Sequence, residues 1–184
     1  TPAAQKLALV VNNKATMGQY PVKATVKLFQ NAGGAAVFPK HPGLLTGMAF
    51  NVNHDATSMY LLEFCGAAEG REMPSSNDSD AVFARIVKMK EASGAEEFSV
   101  VMDWKELPIK SATRWLPFAF ECIVTMSAPG KFAVELTNTD PETGGTAGFS
   151  AEDNDHPLTG GKIGLFQRGW ACGGFDDFAA EISE

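Results

Sequence analysis

The chain has 184 residues, 45% hydrophobic and 20% charged, the balance of an ordinary folded domain rather than a disordered segment. Its formal net charge is −7, and an acidic total argues against nucleic acid as a partner, because phosphate binding needs a basic surface. The length suits one domain, and residues 1–184 are read as a single β-sandwich.

The first predicted strand covers residues 6–12, a compact run of Leu and Val, and Gly18 and Pro21 end it. Residues 22–29 alternate: Val22, Ala24, Val26 and Leu28 stand against Lys23, Thr25 and Lys27. That period of two marks a strand with one wet face. Gly33 and Gly34 turn the chain, and 35–38 form a further short strand. After a loop at 39–43, strands at 47–52 and 58–64 pair across the turn-like Asn53-His54-Asp55-Ala56-Thr57. Residues 66–80 make a polar loop long enough to carry function or to move. The next strand, 81–89, is apolar on both faces: Val82, Ala84 and Ile86 on one, Phe83 and Val87 around Arg85 on the other. Ser93-Gly94 turns the chain, 98–104 returns, and Leu107-Pro108-Ile109 leads into a loop before Trp115. Strands at 118–126 and 131–137 flank Ser127-Ala128-Pro129-Gly130, a good hairpin turn. A second long loop, 138–156, precedes the last strand pair at 162–167 and 175–182. Many short strands divided by turn signals predict an all-β, two-sheet antiparallel architecture.

Charge is unevenly spread. The first 54 residues hold Lys6, Lys14, Lys23, Lys27 and Lys40 and no acid, so they carry +5 and the remainder −12. Such a segment can face an acidic partner, and lysines on strand edges also block edge-to-edge pairing. Cys65, Cys122 and Cys172 form no CxxC motif, and an odd count permits at most one internal disulfide. No apolar run approaches the ~20 residues of a membrane helix. The strongest, 115–126, is interrupted by Glu121, so no transmembrane segment is expected. The start at Thr1-Pro2-Ala3-Ala4, without Met, reads either as a terminus left by signal or transit cleavage or as the cut edge of a longer chain; the first reading is preferred and points to an extracytoplasmic location.

The stretch Gly161-Lys162-Ile163-Gly164-Leu165-Phe166, followed by Phe175-Asp176-Asp177-Phe178, resembles the ending of concanavalin A-like sandwich domains. The laminin G-like and 3-keto-disaccharide hydrolase-like groups look closest. Gly47-Met48-Ala49-Phe50, then Met59-Tyr60-Leu61-Leu62-Glu63-Phe64, Trp115 and the Gly130-to-Leu136 segment fall in the order of that family. The resemblance implies a jelly-roll sandwich. It also implies a structural Ca²⁺, with Asp176 in the position of the C-terminal ligand. No acid precedes Asp55, so an N-terminal ligand there is limited to carbonyl, amide or hydroxyl oxygen. Asn77-Asp78-Ser79-Asp80 and Asp153-Asn154-Asp155 are oxygen-rich, and neither has EF-hand spacing.

Sugar recognition uses an exposed aromatic with planar polar groups beside it. Gln167-Arg168-Gly169-Trp170 supplies both, with Trp170 as the stacking face or, alternatively, as a plug at one end of the core. Tyr60 and Trp104 are further candidates. The E-x-D-x-x-E motif of laminarinase-type relatives is absent. Glu63 and Glu121 are single acids in apolar strands and read as solvated or structurally paired, and His41, His54 and His156 lie in no nucleophile motif. The expected function is a non-catalytic recognition module with a glycan or protein partner, carbohydrate leading. A structural or extrinsic subunit of a larger assembly is the second reading, and a sugar-acting hydrolase or lyase the third.

Overall fold

A computed structural model describes residues 7–30, 45–66, 76, 81–110, 120–168 and 173–182. Eleven strands follow in chain order: β1 (Leu7–Thr16), β2 (Val22–Gln30), β3 (Leu45–Val52), β4 (Ser58–Gly66), β5 (Ala81–Ala92), β6 (Ala95–Lys110), β7 (Phe120–Ala128), β8 (Lys131–Asn138), β9 (Gly145–Glu152), β10 (Lys162–Arg168) and β11 (Gly173–Ile182). No helix occurs among the described residues. Every pairing is antiparallel. One sheet has six strands in the order β1-β10-β3-β4-β5-β6, and the other has five, β11-β2-β7-β8-β9.

The sheets face each other across one core. β2 contributes Val22, Ala24, Val26 and Leu28, β7 contributes Cys122, Val124 and Met126, and β8 contributes Phe132, Val134 and Leu136. From the opposite sheet come Met48, Phe50, Tyr60, Leu62, Phe64, Ala84 and Ile86. Phe132 joins the two layers, its ring edge-on to Phe50 at 5.9 Å and to Tyr60 at 5.1 Å between centroids. Burying each large apolar side chain here contributes roughly 1.5–3 kcal/mol.

Two glycines permit close strand approach. A Cβ on Gly164 would lie 2.6 Å from the Val10 carbonyl oxygen, and one on Gly47 would lie 1.8 Å from that of Leu62. Gly130 takes φ 71° in the turn joining β7 and β8, as the hairpin reading requires.

The structure corrects the sequence reading in two places. β9 lies inside the segment read as a long loop. Its inward face holds Ala147, Phe149 and the partly buried Ala151, while Thr146, Gly148 and Ser150 face outward, so the apolar signal is weak. β6 runs on through Pro108 to Lys110 and buries Leu107 and Ile109. It is the last strand of its sheet, where a missing N–H is tolerated. The expected strand at 35–38 and Trp115 lie outside the described residues.

Candidate recognition site

Both faces of the six-stranded sheet bury apolar side chains. Its outward face buries Leu61 and Cys65 of β4, Phe83, Val87 and Met89 of β5, and Ala49 of β3. Burial pushes the Cys65 thiol up to about 12, so it remains an inert thiol. Two charges sit in this apolar layer. Glu63 and Arg85 are direct partners across the β4–β5 ladder, and the Arg85 Nε donates to Glu63 Oε2. The Glu63 side chain is fully buried and that of Arg85 is 24% exposed. The Arg85 guanidinium lies 4.5 Å from the centroid of the Trp104 ring, a cation–π contact.

A third charge arrives from β10. Arg168 reaches Glu96 on β6, with Nη2 to Oε2 at 3.3 Å, and lies over the Phe98 ring at 4.6 Å. Three strands separate β10 from β6, so a flat sheet would hold them about 19 Å apart at ~4.8 Å per strand. The sheet therefore curls towards its own outward face, as strong twist allows, and brings a charged and aromatic cluster together there, called the bay below. Glu63, Arg85, Arg168, Trp104 and Phe98 line it.

Burial raises the Glu63 carboxyl above its ordinary range, opposed by Arg85 and more weakly by Arg168. Among the described residues, its Oε1 has no hydrogen-bond partner, and neither does the buried Nε of Arg168. Such groups carry a desolvation cost of roughly 1–3 kcal/mol each. The bay thus offers an acceptor, charged donors and two aromatic rings.

The other sequence-identified residues lie apart from it. Gln167 adjoins Arg168 in β10, so alternation directs it to the opposite face. Tyr60 is corrected from ligand contact to core: it is fully buried, donates to Asp153 Oδ2 at 2.7 Å and accepts the Leu158 N–H at 2.8 Å. Burial, reinforced by the Asp153 bond, raises its pKa. Lys88 also donates to Asp153 Oδ2, at 2.7 Å, and to the Asp155 carbonyl. Burial alone would raise the Asp153 pKa, but the bonds from Lys88, Tyr60 and the Asp155 N–H prevail and lower it. This cluster pins the 153–158 loop to the sheet.

Asp176 is exposed, and its Oδ1 accepts the N–H of Asp177. Asp177 in turn pairs with Lys27. Among the described residues, no three His, Cys, Asp or Glu side chains gather where they could hold a metal ion. His54 and His156 are almost fully exposed, and each lies beside the carboxylate of a chain neighbour, Asp55 and Asp155. Trp170, Cys172 and His41 lie outside the described residues.

Sequence reasoning did not single out Arg85. Its signal was available: one arginine within Val82-Phe83-Ala84-Arg85-Ile86-Val87 and one glutamate within Leu61-Leu62-Glu63-Phe64. Single opposite charges in strands buried on both faces need each other.

No family model matches the chain, and no curated protein matches it. Among solved structures, the full-length tailspike protein 2 from Escherichia coli O157:H7 bacteriophage CAB120 is similar at 14% identity and a TM-score of 0.49. That likeness covers 98% of this chain and 22% of the tailspike, so the chain spans about a fifth of that protein's length.

Proposed function

We propose that the chain is a non-catalytic recognition module, a jelly-roll of the concanavalin A-like kind, that takes a hydroxyl-rich, saccharide-like ligand in the bay of its six-stranded sheet. One observation carries the reading. Two partly exposed guanidiniums, Arg85 and Arg168, are each stacked on an aromatic ring beside a buried carboxylate oxygen that lacks a hydrogen-bond partner among the described residues. Stacked arginines are preorganised, so little rotamer entropy is lost when they donate to ligand oxygens. Trp104 and Phe98 add apolar surface for the C–H face of a sugar ring. Glu63 orients Arg85 from beneath.

A glycan array probed with the chain and with Trp104→Ala and Arg168→Ala variants tests this. Specific binding that drops at least about tenfold in both variants, ~1.4 kcal/mol, supports it. Binding that survives both substitutions refutes the bay as the site. No binding to any glycan turns the reading to an assembly subunit.

A further inference from the structure

Arg168 is held firmly but bonded incompletely. Its Nη2 donates to Glu96 Oε2 at 3.3 Å, longer than the ~2.7–2.9 Å of a well-formed charge-assisted bond. Its buried Nε has no hydrogen-bond partner among the described residues. The Nε–H and the adjacent Nη2–H point the same way, and their two parallel donors match the two oxygens of a carboxylate. Glu96 engages this edge of the guanidinium with one oxygen. Glu96 is also the looser partner. Its side chain is 40% exposed, against 14% for Arg168, and Glu91 lies directly opposite it in the β5–β6 register, a like-charge placement. An ion pair with so exposed a member contributes little to stability. Arg168 keeps its place without it, stacked on Phe98 at 4.6 Å.

We infer that the ligand of the bay is an acidic saccharide, whose carboxylate displaces Glu96 and takes both donors on this edge of Arg168. The inference rests on the recognition reading and names its ligand class. Glu96 is then a placeholder that occupies the anion position until ligand arrives. The exchange leaves the charge of the bay unchanged. Arg85, Arg168 and Glu63 stay, one carboxylate turns out to water and another enters, so no buried charge is left unpaired. What the exchange adds is a second bond, to a buried N–H that otherwise carries an unmet desolvation cost. Glu63 is no alternative placeholder, because it is fully buried and fixed by Arg85 across the β4–β5 ladder. A neutral sugar offers only hydroxyl oxygens to the same edge and competes with Glu96 less well. The net charge of −7 opposes anions at long range, where salt screens it, so the preference comes from the short-range fork.

The test is an array of matched oligosaccharide pairs, one member carrying a uronic-acid carboxylate and the other the primary alcohol left by its reduction. It is probed with the intact chain and with Glu96→Gln, Arg168→Lys and Trp104→Ala, and circular dichroism checks that each variant keeps its fold. The acidic member should bind at least about tenfold tighter than its reduced counterpart. Glu96→Gln should tighten the acidic member further, by about threefold, because the competitor has lost its charge. Arg168→Lys should erase the preference, since an ammonium keeps the charge but has no fork. Equal binding of both members, lost in Trp104→Ala, leaves the recognition site standing and overturns the acidic ligand class. Acidic binding that Glu96→Gln fails to tighten overturns the displacement. No binding of any pair overturns this inference together with the recognition reading.

Discussion

The outward faces of the two sheets are built on opposite plans. On the five-stranded sheet, Lys23, Ala133, Glu135, Ser150 and Glu152 point to solvent, and Lys131 pairs with Glu152 at 2.9 Å with both side chains about half exposed. On the six-stranded sheet, much of the corresponding face is apolar and buried, and its central ion pair joins the fully buried Glu63 to a partly exposed Arg85. The difference shows what an ion pair is worth in each setting. At the surface, Coulomb attraction is screened and the net gain is small. In the buried layer, each charge depends on the other, because an unpaired one costs several kcal/mol.

The largest expected effect is at this buried pair. Arg85→Ala strands the Glu63 carboxylate and should cost about 3–5 kcal/mol in urea unfolding. The double variant Glu63→Leu/Arg85→Leu should recover most of that loss; no recovery would show that the pair stabilises the sheet in its own right. Next, Leu61→Ala should cost about 2–5 kcal/mol, whereas Glu135→Ala on the other outward face should change stability by no more than about 0.5 kcal/mol. Equal effects at the two positions would erase the contrast between the faces.

The pH responses of two acids should have opposite signs. Glu63 is raised above its ordinary 4.5, so between 4.5 and its higher folded value the native state holds the proton that the unfolded chain has released. Stability falls as pH rises through that window, and Glu63→Gln should remove the slope. Asp153 is lowered below its ordinary 3.8, so its contribution is complete above 3.8 and is lost as pH falls through the lower folded value. Asp153→Asn should flatten that acid limb in urea midpoints measured from pH 2 to 5. The smallest effect belongs to Lys131→Ala, expected within about 0.5 kcal/mol and vanishing in high salt. A larger, salt-resistant loss would mean that the five-stranded face is less solvated than its exposure indicates.

The same contrast governs how much the sequence disclosed. On the five-stranded sheet, β2, β7 and β8 show clean alternation because one face is wet, and those strands were legible to within about two residues. On the six-stranded sheet, β3, β4 and β5 are buried on both sides, so the chain is apolar throughout and says little about which face is which. β9 was missed because glycine, threonine and serine on its wet side look like loop, and the end of β6 because proline looks like a stop. The candidate site was legible only in fragments: Arg168 and Trp104 were visible as types, but the curl that brings β10 toward β6 depends on contacts between residues far apart in sequence. Tyr60 misled because nothing local shows that Asp153, 93 positions away, takes its hydroxyl.

The strand order has a consequence for how the chain is made. β10 lies between β1 and β3, with Leu7 opposite Arg168, and β11 flanks β2. During synthesis, β3 can pair with β4 early, but its other side has no neighbour until residues 162–168 emerge, and β2 waits longer still for β11. Contacts of such separation fold slowly, on the order of milliseconds to seconds even in small all-β domains. The nascent chain must therefore carry open ladders through most of its translation, and its yield should depend on how well those edges are shielded until the last strands arrive.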